Sequence, residues 1–339
     1  MLYVIVPRNT LTDFLFAELR NASWVKIIEH PQPRRSFTRT VLKSLEVYIL
    51  SKVKQSYSFD RNYIDQLKSI AHEDTVLFFS IENRKELQII LKFIAAKDLH
   101  QWIWNPVGNF RRTSLSRALY LSWLARRGIK SYTFDPADAE RFGFKQRPQV
   151  FRRITTEYRQ DLRHDVYFLG NDKGRFELLK EWKSRLEQGG FTTYFHIVAD
   201  KKLRYTAHQR TQVVDEWITY QANIDIIKES RCLLELLQSS QSGPTLRSLE
   251  AAFFAKKLIT NNKSIRHTAL YSPARIFIIG EDDPLDLRAF IDSELDPVAE
   301  SILAQYEIEG WIKGFCVRAP DCPATPRTGI AQDRAVVQK

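Results

Sequence analysis

Residues 232–262, CLLELLQSSQSGPTLRSLEAAFFAKKLITNN, constrain the fold more tightly than any other part of the chain. The apolar run at 232–237 reads as a buried strand, the Ser/Gln/Gly segment after it as a loop, and a second strand begins at Leu258. Between them a helix is expected to open at Pro244, because proline lacks an N–H that the first helical turn would leave unpaired in any case. Gly243 before it gives the turn its backbone freedom. The loop thus ends at a helix N-terminus, whose free N–H groups and positive dipole end suit an anion such as a phosphate. Leu246, Leu249 and Phe253 follow helical spacing and are expected to face the sheet, which leaves Arg247 and Glu250 together on another face. A carboxylate inside such a helix can accept hydrogen bonds from ribose hydroxyls while the loop holds a phosphate. Ser242, Gly243, Thr245, Arg247 and Glu250 are therefore candidate nucleotide-binding residues. The plain alternative is an ordinary strand-loop-helix in which Arg247 and Glu250 form a surface ion pair.

The same alternation runs along the whole chain. Strands are expected at 2–6, 24–29, 75–80, 101–104 and 131–134, with helices at 11–19, 85–96 and 114–126 among them. That spacing predicts a mostly parallel, doubly wound α/β sheet. Ligands bind beyond the carboxyl ends of such strands, which puts Glu82, Asn105 and Asp135 on the edge of a cleft. The alternation pauses over 144–163, a Pro- and Arg-containing connection, so the chain is read as a first domain at 1–150 and a second at 151–318. A tail at 319–339 carries no periodic apolar pattern and is expected to be disordered. The second domain opens with a strand at 165–169 and the turn Gly170-Asn171-Asp172-Lys173-Gly174-Arg175 before a helix at 176–188. Gly170 and Gly174 permit close backbone approach, and Lys173 and Arg175 can neutralise phosphate oxygens. Ordinary turn chemistry would use the same residues.

A net charge of +11 implies an acidic partner: phosphorylated glycan, anionic lipid, nucleotide or nucleic acid. Beyond the Pro/Arg segment at 31–35, Phe37, Val41, Leu45, Tyr48 and Ile49 form an apolar helical stripe flanked by Arg34, Arg35, Arg39, Lys43, Lys52 and Lys54. Such a helix can lie on an anionic membrane surface, or simply pack with a solvated basic face. No stretch approaches the ~18 uninterrupted apolar residues of a membrane span. The short apolar start reads as a core strand rather than a signal peptide. Cys232, Cys316 and Cys322 form no ligand-spaced cluster and fit a reducing cytoplasm. No Asp-x-Asp pair or His/Cys cluster offers a metal site, and the scattered histidines form no hydrolase triad. Trp102 and Trp104 alternate on a strand and could bracket a sugar ring or simply pack in the core.

Ser242-Gly243-Pro244-Thr245, Leu249-Glu250-Ala251 and the Lys257-to-Asn262 strand, in that order after a buried strand, resemble the donor-binding segment of bacterial GT-B glycosyltransferases, with lipopolysaccharide and capsule enzymes as the nearest likeness. The turn at Gly170, Lys173 and Arg175 is similar to the first loop of their second domain, where a basic residue meets the donor phosphates. The resemblance implies two Rossmann-like doubly wound domains facing a cleft. It also implies transfer of a sugar from a nucleotide-sugar donor to a lipopolysaccharide, capsule or lipid-linked glycan acceptor, with no metal and no cofactor beyond the donor. Many retaining members carry a second Glu where this chain has Ser242, a departure that leaves the anomeric outcome open. Inversion would ask the first domain for a general base, and Asp13, Glu82 and Asp135 are its candidates, each equally suited to be a loop cap or surface charge. The expected location is cytoplasmic, at the inner face of the membrane. A nucleotide-sugar epimerase of similar fold and a non-catalytic basic nucleotide- or nucleic-acid-binding module are the alternatives. The basic residues spread over both halves without a compact nucleic-acid motif, so no nucleic-acid partner is expected.

Overall fold

Apolar side chains alternate along the central strands so that each strand buries both its faces, as a parallel sheet between layers requires. In the computed structural model, which describes residues 1–31, 46, 47, 56, 58–107, 113–154, 162–237 and 243–316, Leu2, Val4 and Val6 enter one core cluster while Tyr3 and Ile5 enter another. The basic stripe named over 37–54, Ser242 and the tail at 319–339 lie outside these residues.

The first sheet comprises β1 (Leu2–Pro7), β2 (Val25–His30), β3 (Thr75–Phe79), β4 (Asp98–Ile103), β5 (Lys130–Thr133) and β6 (Lys145–Gln146) in the order β2-β1-β3-β4-β5-β6. The second comprises β7 (His164–Asn171), β8 (Thr193–Val198), β9 (Ser230–Glu235), β10 (Lys257–Thr260) and β11 (Ile276–Ile278) in the order β11-β10-β9-β7-β8. Every pairing within the two sheets is parallel, and the expected doubly wound α/β architecture with two Rossmann-like units is present. The strand order reverses between β1 and β3 and again between β7 and β9, and such switch points open crevices at the carboxyl edge of a sheet.

One hydrophobic cluster joins the two halves. Leu77 and Phe79 of β3, Tyr167 of β7 and Leu233 of β9 meet in it with Phe151, Tyr220, Phe254 and Trp311. The chain crosses between the sheets at residues 150–154 and returns near Tyr306: Phe151 N–H donates to the Tyr306 carbonyl at 2.7 Å and Ile308 N–H to the Phe151 carbonyl at 2.8 Å. The Ile308–Lys313 helix then packs on the first sheet, Trp311 lying edge-on to Trp102 with ring centroids 4.9 Å apart.

Several boundaries differ from the sequence reading for identifiable reasons. The connection at 144–163 contributes β6, which pairs with β5 and extends the first sheet by one short strand. A helix at Arg61–Lys68, which the apolar pattern had not singled out, is capped by Asp60 and buries Tyr63, Ile64 and Leu67. The helix after β9 runs from Leu246 to Phe253, later than Pro244, because the Thr245 hydroxyl accepts from Arg247 N–H at 3.1 Å and so takes the N-cap position.

Candidate functional site

A cleft of about 530 Å³ opens where the carboxyl edges of the two sheets meet. From the first sheet come Asn9 and Thr10 after β1, Trp104 and Asn105 after β4, and Phe134 after β5; Gln149 joins them from the crossover. The opposite wall holds Leu169, Arg175, Trp217, Tyr220, Asn223, Glu235, Arg247 and Glu250. Of the two tryptophans weighed from the sequence, Trp104 lines the cleft and Trp102 is fully buried in the core.

Arg175 sits in the switch-point crevice between β7 and β9. Its guanidinium donates to the carbonyls of Leu236, of Asn171 at 2.6 Å and of Asp172 at 3.1 Å. The side chain expected to reach phosphate is thus turned inward, tying the carbonyls around the end of β7 to the one that follows β9. Its neighbour Lys173 is exposed, at φ 49°, on the rim of the same loop. Gly170 supports the arrangement, since a Cβ there would come within 3.2 Å of the Phe168 ring.

The floor is a buried polar network. Glu250 is 2 % exposed; its Oε1 accepts from the Tyr220 hydroxyl at 2.8 Å and Asn223 Nδ2 at 2.9 Å, and its Oε2 lies 2.7 Å from an Arg247 nitrogen. Arg247 also donates to the Leu169 carbonyl at 3.2 Å and stands over the Tyr167 ring, whose hydroxyl donates to Asn223 Oδ1 at 2.9 Å. The carboxylate expected to accept from ribose hydroxyls is thus buried with both oxygens engaged, and the ion pair weighed as its alternative is present but buried rather than at the surface. The helix buries Ser248, Leu249, Glu250 and Ala251, whereas Leu246 lines the cleft and Phe253 packs on Phe151. Polar residues face inward here because the sheet and the Tyr220–Lys228 helix supply their partners.

Glu235, at the end of β9, is the acidic residue that the sequence reading overlooked. It accepts from the hydroxyls of Thr245, of Ser248 at 3.2 Å and of Thr260 at 2.6 Å. Its signal was a lone carboxylate in the apolar run CLLELL. Thr245 is thus both N-cap and donor to this carboxyl, which already stands at the start of the helix where a phosphate was expected. Gly243, at φ 79°, brings the same loop against the first sheet's edge, where an added Cβ would lie 3.2 Å from the Phe134 carbonyl oxygen. Left-handed backbone and close approach together demand glycine.

Burial pushes the Glu235 carboxyl above its ordinary value of 4.5, against the pull of the three hydroxyls and Arg247. The folded protein therefore holds this proton more tightly than the unfolded chain. The site's contribution to stability is complete below pH 4.5 and is lost as the pH rises through the elevated folded-state value. Glu235→Gln should shrink the difference in unfolding free energy between pH 4.5 and mildly alkaline buffer, measured by urea titration. An unchanged difference would show that Glu235 does not titrate in this window.

None of the three candidate bases lines the cleft. Asp13 is exposed and pairs with Arg20 at 2.8 Å. Glu82 accepts from the N–H groups of Trp104 at 3.0 Å and Asn105 at 3.1 Å, tying the end of β3 to that of β4. Asp135 is buried as the N-cap of the Pro136–Phe142 helix, accepting from Asp138 N–H at 3.1 Å. Each serves loop or surface structure; Asn105, named with them as a cleft-edge residue, does line the cleft. Among the described residues no group of three or more His, Cys, Asp or Glu side chains is placed to hold a metal ion, and no helix is long and apolar enough to cross a membrane.

Two parallel sheets whose carboxyl edges share one cleft define a GT-B-like pair of Rossmann units. Among solved structures, the chain is similar to AviGT4, a glycosyltransferase involved in avilamycin A biosynthesis, with 11% identity and a TM-score of 0.52 over 93% of this chain and 97% of that one. The glycotransferase of kitacinnamycin aligns over 93% of this chain and 94% of its own at 11% identity, with a TM-score of 0.40. At such identity the likeness to AviGT4 is one of fold. No protein-family model and no curated protein matches the sequence.

Proposed function

We propose that this protein transfers a sugar from a nucleotide-sugar donor to a glycan or glycolipid acceptor. The observation that carries the reading is the cleft itself, which joins the switch-point edges of two Rossmann units and has a buried polar network in its second-sheet wall. The shared fold with a glycosyltransferase supports it. In this reading the second sheet receives the donor: Lys173 on the rim and Arg247 on the floor meet the phosphates, while Gly170 and Gly243 allow close approach. Arg175, Thr245 and Glu235 shape the wall from behind as positioning residues. Asn9, Thr10 and Asn105 face the acceptor hydroxyls. The net charge of +11 suits an acceptor bearing phosphate or carboxylate, as cell-surface lipopolysaccharide or capsule precursors do, assembled on the cytoplasmic side of a membrane. The reaction needs no metal in this reading, which the lack of an Asp-x-Asp pair supports.

The test is incubation with a panel of nucleotide sugars, with and without EDTA, following release of free nucleotide. Hydrolysis or transfer that survives EDTA is the expected result. Isomerised sugar would reassign the protein to epimerisation, and absence of both binding and turnover across the panel would overturn the reading. Trp217, 55% exposed and lining the cleft, offers a flat face to a ring of the ligand. Trp217→Ala should weaken nucleoside diphosphate binding by ~1–3 kcal/mol, the worth of one stacked base. Calorimetry measures the loss, and the melting temperature should stay put because the ring contributes little to the core. Unchanged affinity would remove Trp217 from the site.

A further inference from the structure

The Ser114–Arg126 helix is apolar on its buried face and along an exposed stripe beside it. Tyr120, Trp123 and Leu124 are buried beneath it. Flanking that face, Leu115 is 70% exposed and Leu119 is 54% exposed. Four residues apart, they lie on one stripe that continues to the exposed Arg126, with exposed Arg127 beyond. Core packing uses the buried face and leaves Leu115 and Leu119 exposed among the described residues.

Charge says what covers it. Between Asp98 and Asp135 the sequence has no carboxylate, yet the helix and its end carry Arg117, Arg126 and Arg127, while Lys130 beyond them is paired with Asp98 at 2.7 Å. Exposed leucines flanked by cations, in a stretch without acidic residues, complement an anionic lipid surface: the side chains enter the acyl boundary and the guanidinium groups meet headgroup phosphates. Self-association through the same face would bring like cations together. We propose that this helix seats the protein on an anionic bilayer. Because it follows β4, its N-terminal end with Leu115 lies toward the carboxyl edge of the sheet, where Trp104 and Asn105 line the cleft. A bilayer against Leu115 therefore adjoins the cleft and presents lipid-linked acceptors to it.

The surface deepens the glycolipid-acceptor reading but is tested without donor or acceptor, so the two can fail separately. The full chain is sedimented with vesicles of phosphatidylcholine alone or mixed with phosphatidylglycerol, at low and high salt. Binding to the mixed vesicles only, weakened by salt, is expected. The Leu115→Ser/Leu119→Ser variant should bind about tenfold more weakly through lost apolar insertion. Arg126→Ser/Arg127→Ser should lose about fivefold per cation. Both variants change exposed side chains, so melting temperature and nucleotide affinity should match the parent. Binding of the parent to neither vesicle overturns the proposal. So does equal binding by the leucine variant, and so does a change in oligomeric state in place of vesicle binding, which would make the face a protein contact.

Discussion

Trp311→Ala is expected to lower the unfolding free energy by ~3–5 kcal/mol, the cost of emptying a well-packed aromatic site. Trp311 is 4% exposed and belongs to the last described helix, yet every ring it touches in the first sheet lies far away in sequence. It packs edge-on against Trp102 and Phe79, and its indole N–H donates to the Pro148 carbonyl at 2.9 Å. Its own carbonyl accepts from Arg147 at 2.9 Å, and the Arg147 guanidinium lies over its ring and that of Phe315. Burial holds Arg147 down to about 10, so a cation already short of solvent loses part of its aromatic cover when the indole goes. Urea unfolding followed by circular dichroism measures the loss, with Leu285→Ala as a control because Leu285 is 87% exposed. The proposed sugar transfer should fall too, since this helix ties the second half of the chain back to the first sheet. A variant as stable as the parent would make the helix a surface appendage.

The sheets were legible because a strand buried on both faces reads as a continuous apolar run, as in β1, β3 and β9. The cleft was legible in outline, since the carboxyl-edge rule located Asn105 correctly. The same rule also nominated Glu82 and Asp135, and here spacing could not help. Loops at a sheet edge need acceptors for their N–H groups, and only three-dimensional proximity shows that these carboxylates are already taken. Lys173 and Arg175 look interchangeable in sequence. A left-handed residue at Lys173 turns the loop so that Arg175 folds back over the strand ends while Lys173 stays outside. For the Leu246–Phe253 helix, apolar periodicity pointed to Leu246 and Phe253, but the buried arc carries Ser248 and Glu250. Their partners, Glu235, Tyr220 and Asn223, come from other segments, and no local pattern announces them.

Glu250 is where stability and ligand recognition must be separated. Glu250→Ala is expected to cost ~3–5 kcal/mol, because Arg247 would be left buried without its counter-charge. The hydroxyl of Tyr220 and the amide of Asn223 would lose their shared acceptor as well. Removing both charges at once, with Glu250→Leu and Arg247→Met, should recover most of that loss, since a buried ion pair replaced by apolar groups of similar volume is often neutral. Measured beside the single variants Glu250→Leu and Arg247→Met, the departure from additivity gives the coupling between the two residues. This stable double variant allows a test that Glu250→Ala alone cannot give. With Oε1 occupied twice and Oε2 facing Arg247, the carboxylate retains room for one further donor, and we propose a ribose hydroxyl for it. The parent should then prefer a nucleoside diphosphate over its 2′-deoxy analogue by ~1.4 kcal/mol, about tenfold. Loss of Arg247 will weaken both ligands through the phosphates they share, so the ratio isolates the ribose. A ratio near one in the double variant supports the contact. If the double variant keeps the parent's preference, Glu250 acts only as the anchor of Arg247, Tyr220 and Asn223, and the ribose is read elsewhere in the cleft.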